Sequence, residues 1–296
     1  MKIIKYTGGL GNQMFQAAFS YILSEKGNVV KADLDLYKTR VFRGGVDLNH
    51  GGFEIPRLFD IEVSVATDKE CEKLGTRSDT IYHRVMRKFF TKKTHIIEYS
   101  SDYHPYLLDD KSDSYLEGYW QNPKYFEDSE DEIKKLFTFK CELNTKSKAL
   151  REELQSLQNT VAVHVRRGDY LNHPTLNVCG KKYFDDALTE MRNLVPAISK
   201  YIIFSDDIEW CRSNLNLENT PAVFVDWNKG EDSWQDMALM SEANHNIIPN
   251  SSFSWWGAYL NPHKDKKVLV PSKWDTNGFT GAIAKDWKTI PVLGDL

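Results

Sequence analysis

The chain has 296 residues, 41% of them hydrophobic and 27% charged, with a formal net charge of −4. That length can bury a large core and predicts two domains of ordinary size, while the slight acidity gives no electrostatic case for nucleic acid. Four cysteines, Cys71, Cys141, Cys179 and Cys211, lie far apart without a Cys-x-x-Cys pair, which indicates neither a zinc site nor a disulfide framework.

The first residues read as a short strand with no apolar leader, and no apolar stretch reaches the roughly 20 residues of a membrane span. A cytoplasmic protein with at most peripheral membrane association is expected, and Asn250-Ser251-Ser252 is read as a chance glycosylation sequon. Residues 3–6 predict a strand, 7–11 a tight glycine loop, 12–26 a helix and 29–34 a second strand. Met14, Phe15, Ala18, Phe19, Ile22 and Leu23 recur at helical spacing. In this βαβ opening, Gly9 and Gly11 let backbone amides approach a ligand at a helix N-terminus. Gly8-Gly9-Leu10-Gly11-Asn12-Gln13 is neither a dinucleotide fingerprint nor a P-loop. Asn12 and Gln13 offer amide side chains to a polar ligand, although for Asn12 alone a helix cap is the commoner explanation. Asp33-Leu34-Asp35 has the form of a metal-binding Asp-x-Asp pair, but 42 acidic residues make a chance match expected and hard cations need further oxygens, so no metal is predicted.

Residues 43–50 predict a polar, glycine-rich surface loop beside this site. Helical spacing returns at 68–74, a basic stretch with interleaved apolar residues covers 84–90, and 96–99 reads as a strand. Residues 114–126 are dense in aromatics, with a strand through Tyr119 broken at Asn122-Pro123. Trp120 at that strand end is a candidate sugar platform, against the commoner explanation of a core aromatic. A charged amphipathic helix at 127–137 leads to the polar span 140–148, the expected domain boundary.

The second half alternates strands and helices more cleanly. Strands are expected at 161–165, 201–204, 222–225, 245–248 and 267–270, and helices at 182–194, 233–243 and 254–260. Such alternation gives a parallel sheet that binds ligands at its carboxyl edge. Each strand end carries polar groups: His164, Arg166, Arg167 and Asp169; Ser205 and Asp206; Asp226; and Asn250 to Ser254. Two guanidiniums shaped to grip phosphate oxygens suggest a phosphate-bearing substrate, whereas an ion-pair cluster closing the strand explains that stretch alone equally well. Ser251, Ser252 and Ser254 stand at a helix start that favours an anion, which together with the arginines describes a diphosphate site. Asp206 or Asp226 is suited to a guanine N1–H and exocyclic amine.

Four stretches resemble the glycosyltransferase family 11 α-1,2-fucosyltransferases. They are Gly8-Gly9-Leu10-Gly11-Asn12-Gln13-Met14-Phe15-Gln16, His164-Val165-Arg166-Arg167-Gly168-Asp169-Tyr170, Phe204-Ser205-Asp206-Asp207, and Asp236-Met237-Ala238-Leu239-Met240 through Asn250-Ser251-Ser252-Phe253-Ser254-Trp255-Trp256-Gly257. The resemblance implies an α/β, GT-B-like fold of two Rossmann-like domains facing a central cleft, 1–145 mainly on the acceptor side and 146–296 binding GDP-fucose. It implies inverting transfer of L-fucose to the 2-hydroxyl of a terminal β-galactose, serving an O-antigen or capsule, with no metal or other cofactor. The donor set expected on these motifs is Gly9, Gly11, Asn12, Gln13, Arg166, Arg167, Ser205, Asp206, Asp226, Asn250, Ser251, Ser252, Phe253 and Ser254. Arg166 is assigned to the leaving diphosphate, Arg167 to a loop-holding pair with Asp169, and Asp169 and His164 are candidate bases. Trp120 and the 43–50 loop are the acceptor-side expectation. The competing readings are another GDP-sugar transferase of the protein O-fucosyltransferase type and a non-catalytic glycan- or nucleotide-binding protein.

Overall fold

The structure, a computed structural model, describes residues 1–38, 52–76, 91–100 and 102–292, with the strand segments at 42–43 and 46–47. The chain divides into two compact units, Met1–Lys140 and Cys141–Leu296. The division falls at the near end of the polar 140–148 span.

In the first unit the strands are β1 (Lys2–Lys5), β2 (Val30–Asp33), β3 (Phe42–Arg43), β4 (Val46–Asp47), β5 (His95–Ile97) and β6 (Ser114–Glu117). Four of them form a parallel sheet in the order β2-β1-β6-β5, and β3 and β4 pair antiparallel where the predicted 43–50 loop begins. The remainder of that loop and the basic stretch 84–90 lie outside the described residues. The Leu10–Glu25 helix buries all six of the apolar residues read at helical spacing. It starts two residues before the expected point, because Gly9 is extended and Leu10 and Gly11 already form the first turn. The strand expected through Tyr119 stops at Glu117. Trp120 has a φ of 56°, and the amides of Tyr119 and Trp120 turn to the Glu98 carboxylate instead of continuing a ladder.

In the second unit the strands are β7 (Thr160–Val165), β8 (Lys200–Ser205), β9 (Ala222–Val225), β10 (His245–Ile247), β11 (Val268–Pro271) and β12 (Lys288–Ile290). All pair in parallel, in the order β12-β11-β10-β7-β8-β9. Counted from β7 this is the Rossmann order 3-2-1-4-5-6, in which the winding reverses between β7 and β10. β7 is apolar along most of its length because both faces of a parallel sheet are covered, and all six of its residues are buried. The Lys181–Leu194 helix buries Tyr183, Phe184, Ala187, Leu188 and Met191 on one stripe. Among the elements without a sequence prediction are the Thr145–Ser156 helix, the Ile208–Asn214 helix and β12. The first is polar and buries Ser147, Leu150 and Leu154, and the second is a short helix whose start is fixed by Asp207 accepting from the Trp210 amide.

Candidate active site

The reversal between β7 and β10 is where an open parallel sheet leaves a crevice at its carboxyl edge. The end of β7 delivers Arg166, whose guanidinium lies 2.7 Å from Asp169 Oδ1 and 3.1 Å from Asp206 Oδ2. The first of these contacts is a charge pair without hydrogen-bond alignment at Asp169 Oδ1. Arg166 also sits 5.6 Å from the centre of the Tyr170 ring, and the Tyr170 hydroxyl donates to the Asn250 carbonyl at 3.3 Å. The ends of β7 and β10 are thereby joined into one site.

Arg167 does not pair with Asp169, contrary to expectation. Its amide donates to Asp206 Oδ1 at 2.9 Å, its Nε to Asp207 Oδ2 at 3.1 Å, and its guanidinium lies 4.1 Å from the Trp210 ring centre. Successive residues leaving a strand project to opposite sides, so Arg167 turns toward the Ile208–Asn214 helix while Asp169, one turn on, comes back under Arg166. Gly168 gives this arrangement room, since a Cβ there would stand 2.7 Å from Asp206 Oδ2 and the carboxylate would have to shift. Ser205 accepts the Asp207 amide through its hydroxyl at 2.9 Å and so holds the same loop.

His164 is buried, its Nδ1 has no partner, and its ring centre is 5.9 Å from that of Phe253. Burial, with the charge of Arg166 in second place, pushes its pKa down to about 3. A neutral imidazole of that kind is a weak proton acceptor near neutral pH. Asn250 donates through Nδ2 to the carbonyls of Leu176 and Trp274 at 2.9 and 2.8 Å, and its buried Oδ1 has no partner. At the start of the Ser252–Leu260 helix, Ser251 and Ser254 are buried, while Ser252 and Phe253 are partly exposed.

Asp226 lies exposed just past β9. A carboxyl that the sequence reading missed stands beyond it: Asp236, in the first turn of the Trp234–Glu242 helix, accepts from Asn228 Nδ2 at 2.8 Å. Burial raises its pKa to about 7, against the lowering effect of the Asn228 bond. Asp236 opens one of the four stretches that carry the family resemblance, but an acidic residue at the third position of a helix signals by itself only a favourable dipole contact, so no role was read from it.

In the first unit the glycine turn is held from within. Gly8 O accepts from Tyr37 Oη at 2.7 Å and from Gln13 Nε2 at 3.1 Å, and Gln13 also bonds Gly52 O and the Glu54 amide. Gln13 is fully buried, so its amide braces the turn. Gln16, unassigned from sequence, accepts the Thr7 amide and donates to Gly118 O, and Asn12 Oδ1 accepts from Gln121 at 2.7 Å. Gly9, Gly11, Asn12 and Gln13 thus stand at the end of β1, and the rest of the expected donor set stands in the second unit. Trp120 is 1% exposed and stacks on Phe19 at 4.8 Å, so its ring belongs to the core, and the neighbouring Tyr119 is the exposed one at 45%. Asp33 accepts from Tyr115 Oη and the Asp35 amide, and among the described residues no cluster of three metal-ligating side chains occurs.

Two parallel α/β units with a guanidinium at a Rossmann reversal give a fold and a candidate anion site, and sequence comparison supplies the class. Residues 72–290 match the model of glycosyl transferase family 11, and the chain belongs to that family. It is 31% identical over 283 residues to an alpha-1,2-colitosyltransferase of Escherichia coli, spanning 92% of this chain and 91% of the relative. It is 31% identical over 287 residues to the O-antigen biosynthesis glycosyltransferase WbnK of Escherichia coli, spanning 90% and 93%. Over 128 residues it is 33% identical to galactoside alpha-(1,2)-fucosyltransferase 1 of Lagothrix lagotricha, covering 38% of this chain and 35% of that one. The fold matches NodZ alpha-1,6-fucosyltransferase co-crystallized with GDP, at a TM-score of 0.51 and 16% identity over 88% of this chain and 92% of the other. A further structure of NodZ, from Bradyrhizobium, aligns at 0.50. The architecture is GT-B-like, and the chain is a glycosyltransferase. Among the described residues no helix is long and apolar enough to cross a membrane.

Proposed function

We propose that the chain transfers L-fucose from GDP-fucose, with inversion, to the 2-hydroxyl of a terminal β-galactose, without a metal ion. The observation that carries this reading is the placement of Arg166 at the β7–β10 reversal, tied through Tyr170 to the start of the Ser252–Leu260 helix. As GDP departs, charge grows on the β-phosphate, and fixed cations and helix-terminal amides are the groups able to stabilise it. Asp169 and Asp206 hold the guanidinium in orientation, and the diphosphate replaces carboxylate oxygens on its fork when it binds. Asp206 remains held by the Arg167 amide.

Asp206 and Asp226 had been the candidates for guanine. With Asp206 engaged by both arginines and Asp226 in water, we assign the guanine N1–H and exocyclic amine to Asp236, the carboxyl at this edge whose burial leaves it most in need of donors.

Arg166→Lys is expected to lower kcat by about 10²–10³-fold with weakened donor binding, because lysine cannot make the paired contact. Full turnover with unchanged donor affinity would contradict the assignment. A second reading has a specific basis: the relative aligned over 92% of the chain is named for colitosyl transfer through the same α-1,2 linkage. Colitose is fucose lacking its 3-hydroxyl, and a site that hydrogen-bonds that hydroxyl discriminates by orders of magnitude. Turnover measured side by side with GDP-fucose and GDP-colitose separates the two.

A further inference from the structure

A carboxylate that reads guanine has to be ionised and held still, and burial of the kind Asp236 meets opposes the first of these. We propose that Asn228 is the positioning residue for Asp236, the last member of a hydrogen-bond relay whose direction is fixed and which ends in a donor at the carboxylate. The inference rests on the assignment of guanine to Asp236 above and deepens it.

The members of the relay lie in the second unit. Asn228 comes shortly after β9 and is buried. Its Nδ2 donates to Asp236 Oδ1 at 2.8 Å, and its Oδ1 accepts from Asn144 Nδ2 at 2.8 Å and from the Ser147 hydroxyl at 3.1 Å. An asparagine amide presents a donor at one end and an acceptor at the other, so its neighbours decide which way it faces. Two groups that only donate make that decision. The Ser147 backbone amide donates to Asn144 Oδ1 at 3.0 Å, at the cap of the Thr145–Ser156 helix, which leaves Asn144 its Nδ2 for Asn228. The indole Nε1 of Trp227 donates to the Ser147 hydroxyl at 3.1 Å, which turns the hydroxyl proton toward Asn228. Both branches therefore bring donors to one end of the Asn228 amide, and its N–H end is left for Asp236.

The mounting is also braced from the other side. Gln235, buried and next to Asp236 in the chain, accepts the Asn144 amide at 2.8 Å and donates to Asp232 at 2.8 Å. The start of the Trp234–Glu242 helix is thereby tied to the cap of the Thr145–Ser156 helix. Among the described residues no other donor reaches the Asp236 carboxylate. Carboxylate oxygens take more than one donor each, so the guanine N1–H and exocyclic amine still find acceptors there.

The ionisation of Asp236 is set by burial, which raises its pKa, and by the Asn228 bond, which acts against that rise. The Thr145–Ser156 and Ser252–Leu260 helices pack on the one that carries it. On the first, Lys148 pairs with Glu142 at 2.6 Å, Glu153 pairs with Lys200, Lys146 lies 5.7 Å from the Trp227 ring centre, and Arg151 and Glu152 complete the charged set. The second carries one titratable group, the phenol of Tyr259. Around Asp236 in its own segment stand Asp226, Lys229, Glu231 and Asp232, all exposed, and Glu242 at the far end of the helix.

GDP affinity measured against pH tests the relay. Wild type and Asp236→Asn examine the guanine assignment by itself: a wild-type affinity that stays flat below about pH 7, or a variant that binds GDP as wild type does, overturns the assignment and the inference with it. With the assignment standing, Asn228→Leu keeps the bulk of the side chain and removes its donor. The midpoint of its affinity profile should rise by about one pH unit, with GDP bound about tenfold more weakly near neutral pH. Ser147→Ala cuts the relay on its far side and leaves Asn144 to orient the amide, so it should lower Tm without moving the midpoint. An unmoved midpoint in Asn228→Leu, or an equal rise in Ser147→Ala, overturns the inference and leaves the guanine assignment intact. Should Asn228→Leu not fold, NMR of wild type with isotope-labelled asparagine side chains decides. One Nδ2 signal should titrate with the midpoint of GDP affinity, and the absence of any such signal overturns the proposal.

Discussion

Asp236 shows how one side chain ties protonation to both stability and ligand. Its folded pKa of about 7 lies above the ordinary value of 3.8. Stability from the neutral carboxyl is therefore fully present below about pH 3.8, and is lost as pH rises toward and past 7 in the absence of nucleotide. Asp236→Asn removes this dependence, so its Tm relative to wild type should improve steadily as the pH is raised across that window. Guanine recognition needs the ionised form, so wild-type GDP affinity should weaken as pH falls below about 7, while the Asn variant binds weakly at every pH. Parallel Tm profiles together with GDP affinity unaffected by the substitution would remove Asp236 from the site. The same scale shows what sequence reading misses. The position of Arg166 and Asp169 just past β7 was legible, but the partner of Arg167 depended on the direction in which each side chain leaves the strand. Trp120 looked like a platform because composition does not say which face of a strand end is covered.

Elements with a long uniform signal were the legible ones. The apolar run of β7 and the single stripe of the Lys181–Leu194 helix can be read from periodicity, since each satisfies one burial rule along its whole length. The Thr145–Ser156 helix was not, because its polar surface hides a stripe of three buried residues. Nor was the close pairing of the Trp234–Glu242 and Ser252–Leu260 helices, which depends on one glycine. A Cβ on Gly257 would lie 2.8 Å from Met240 Cβ and 3.2 Å from its sulfur. Gly257→Ala gains about 1 kcal/mol of helix propensity, but overpacking costs about 1–3 kcal/mol and is expected to prevail. In urea unfolding the midpoint should drop. A double-mutant cycle with Met240→Ala should show favourable coupling, and strict additivity would mean that the two helices do not meet there.

At the scale of the whole molecule, the two larger sheets are both parallel, and the candidate site residues lie at or just beyond strand ends. Alternation of elements announced the parallel sheets. Strand order was not legible, because the 3-2-1-4-5-6 arrangement depends on which way each crossover turns, and that order is what brings Arg166 beside the start of the Ser252–Leu260 helix. The most direct measurement is the linkage and anomeric configuration of the product formed from GDP-L-fucose and a panel of β-galactosides. The account predicts a single α-L-fucosyl residue on the 2-hydroxyl of the terminal galactose, formed at the same rate with a chelator present; transfer to another hydroxyl, a β-linked product, or no transfer would contradict it.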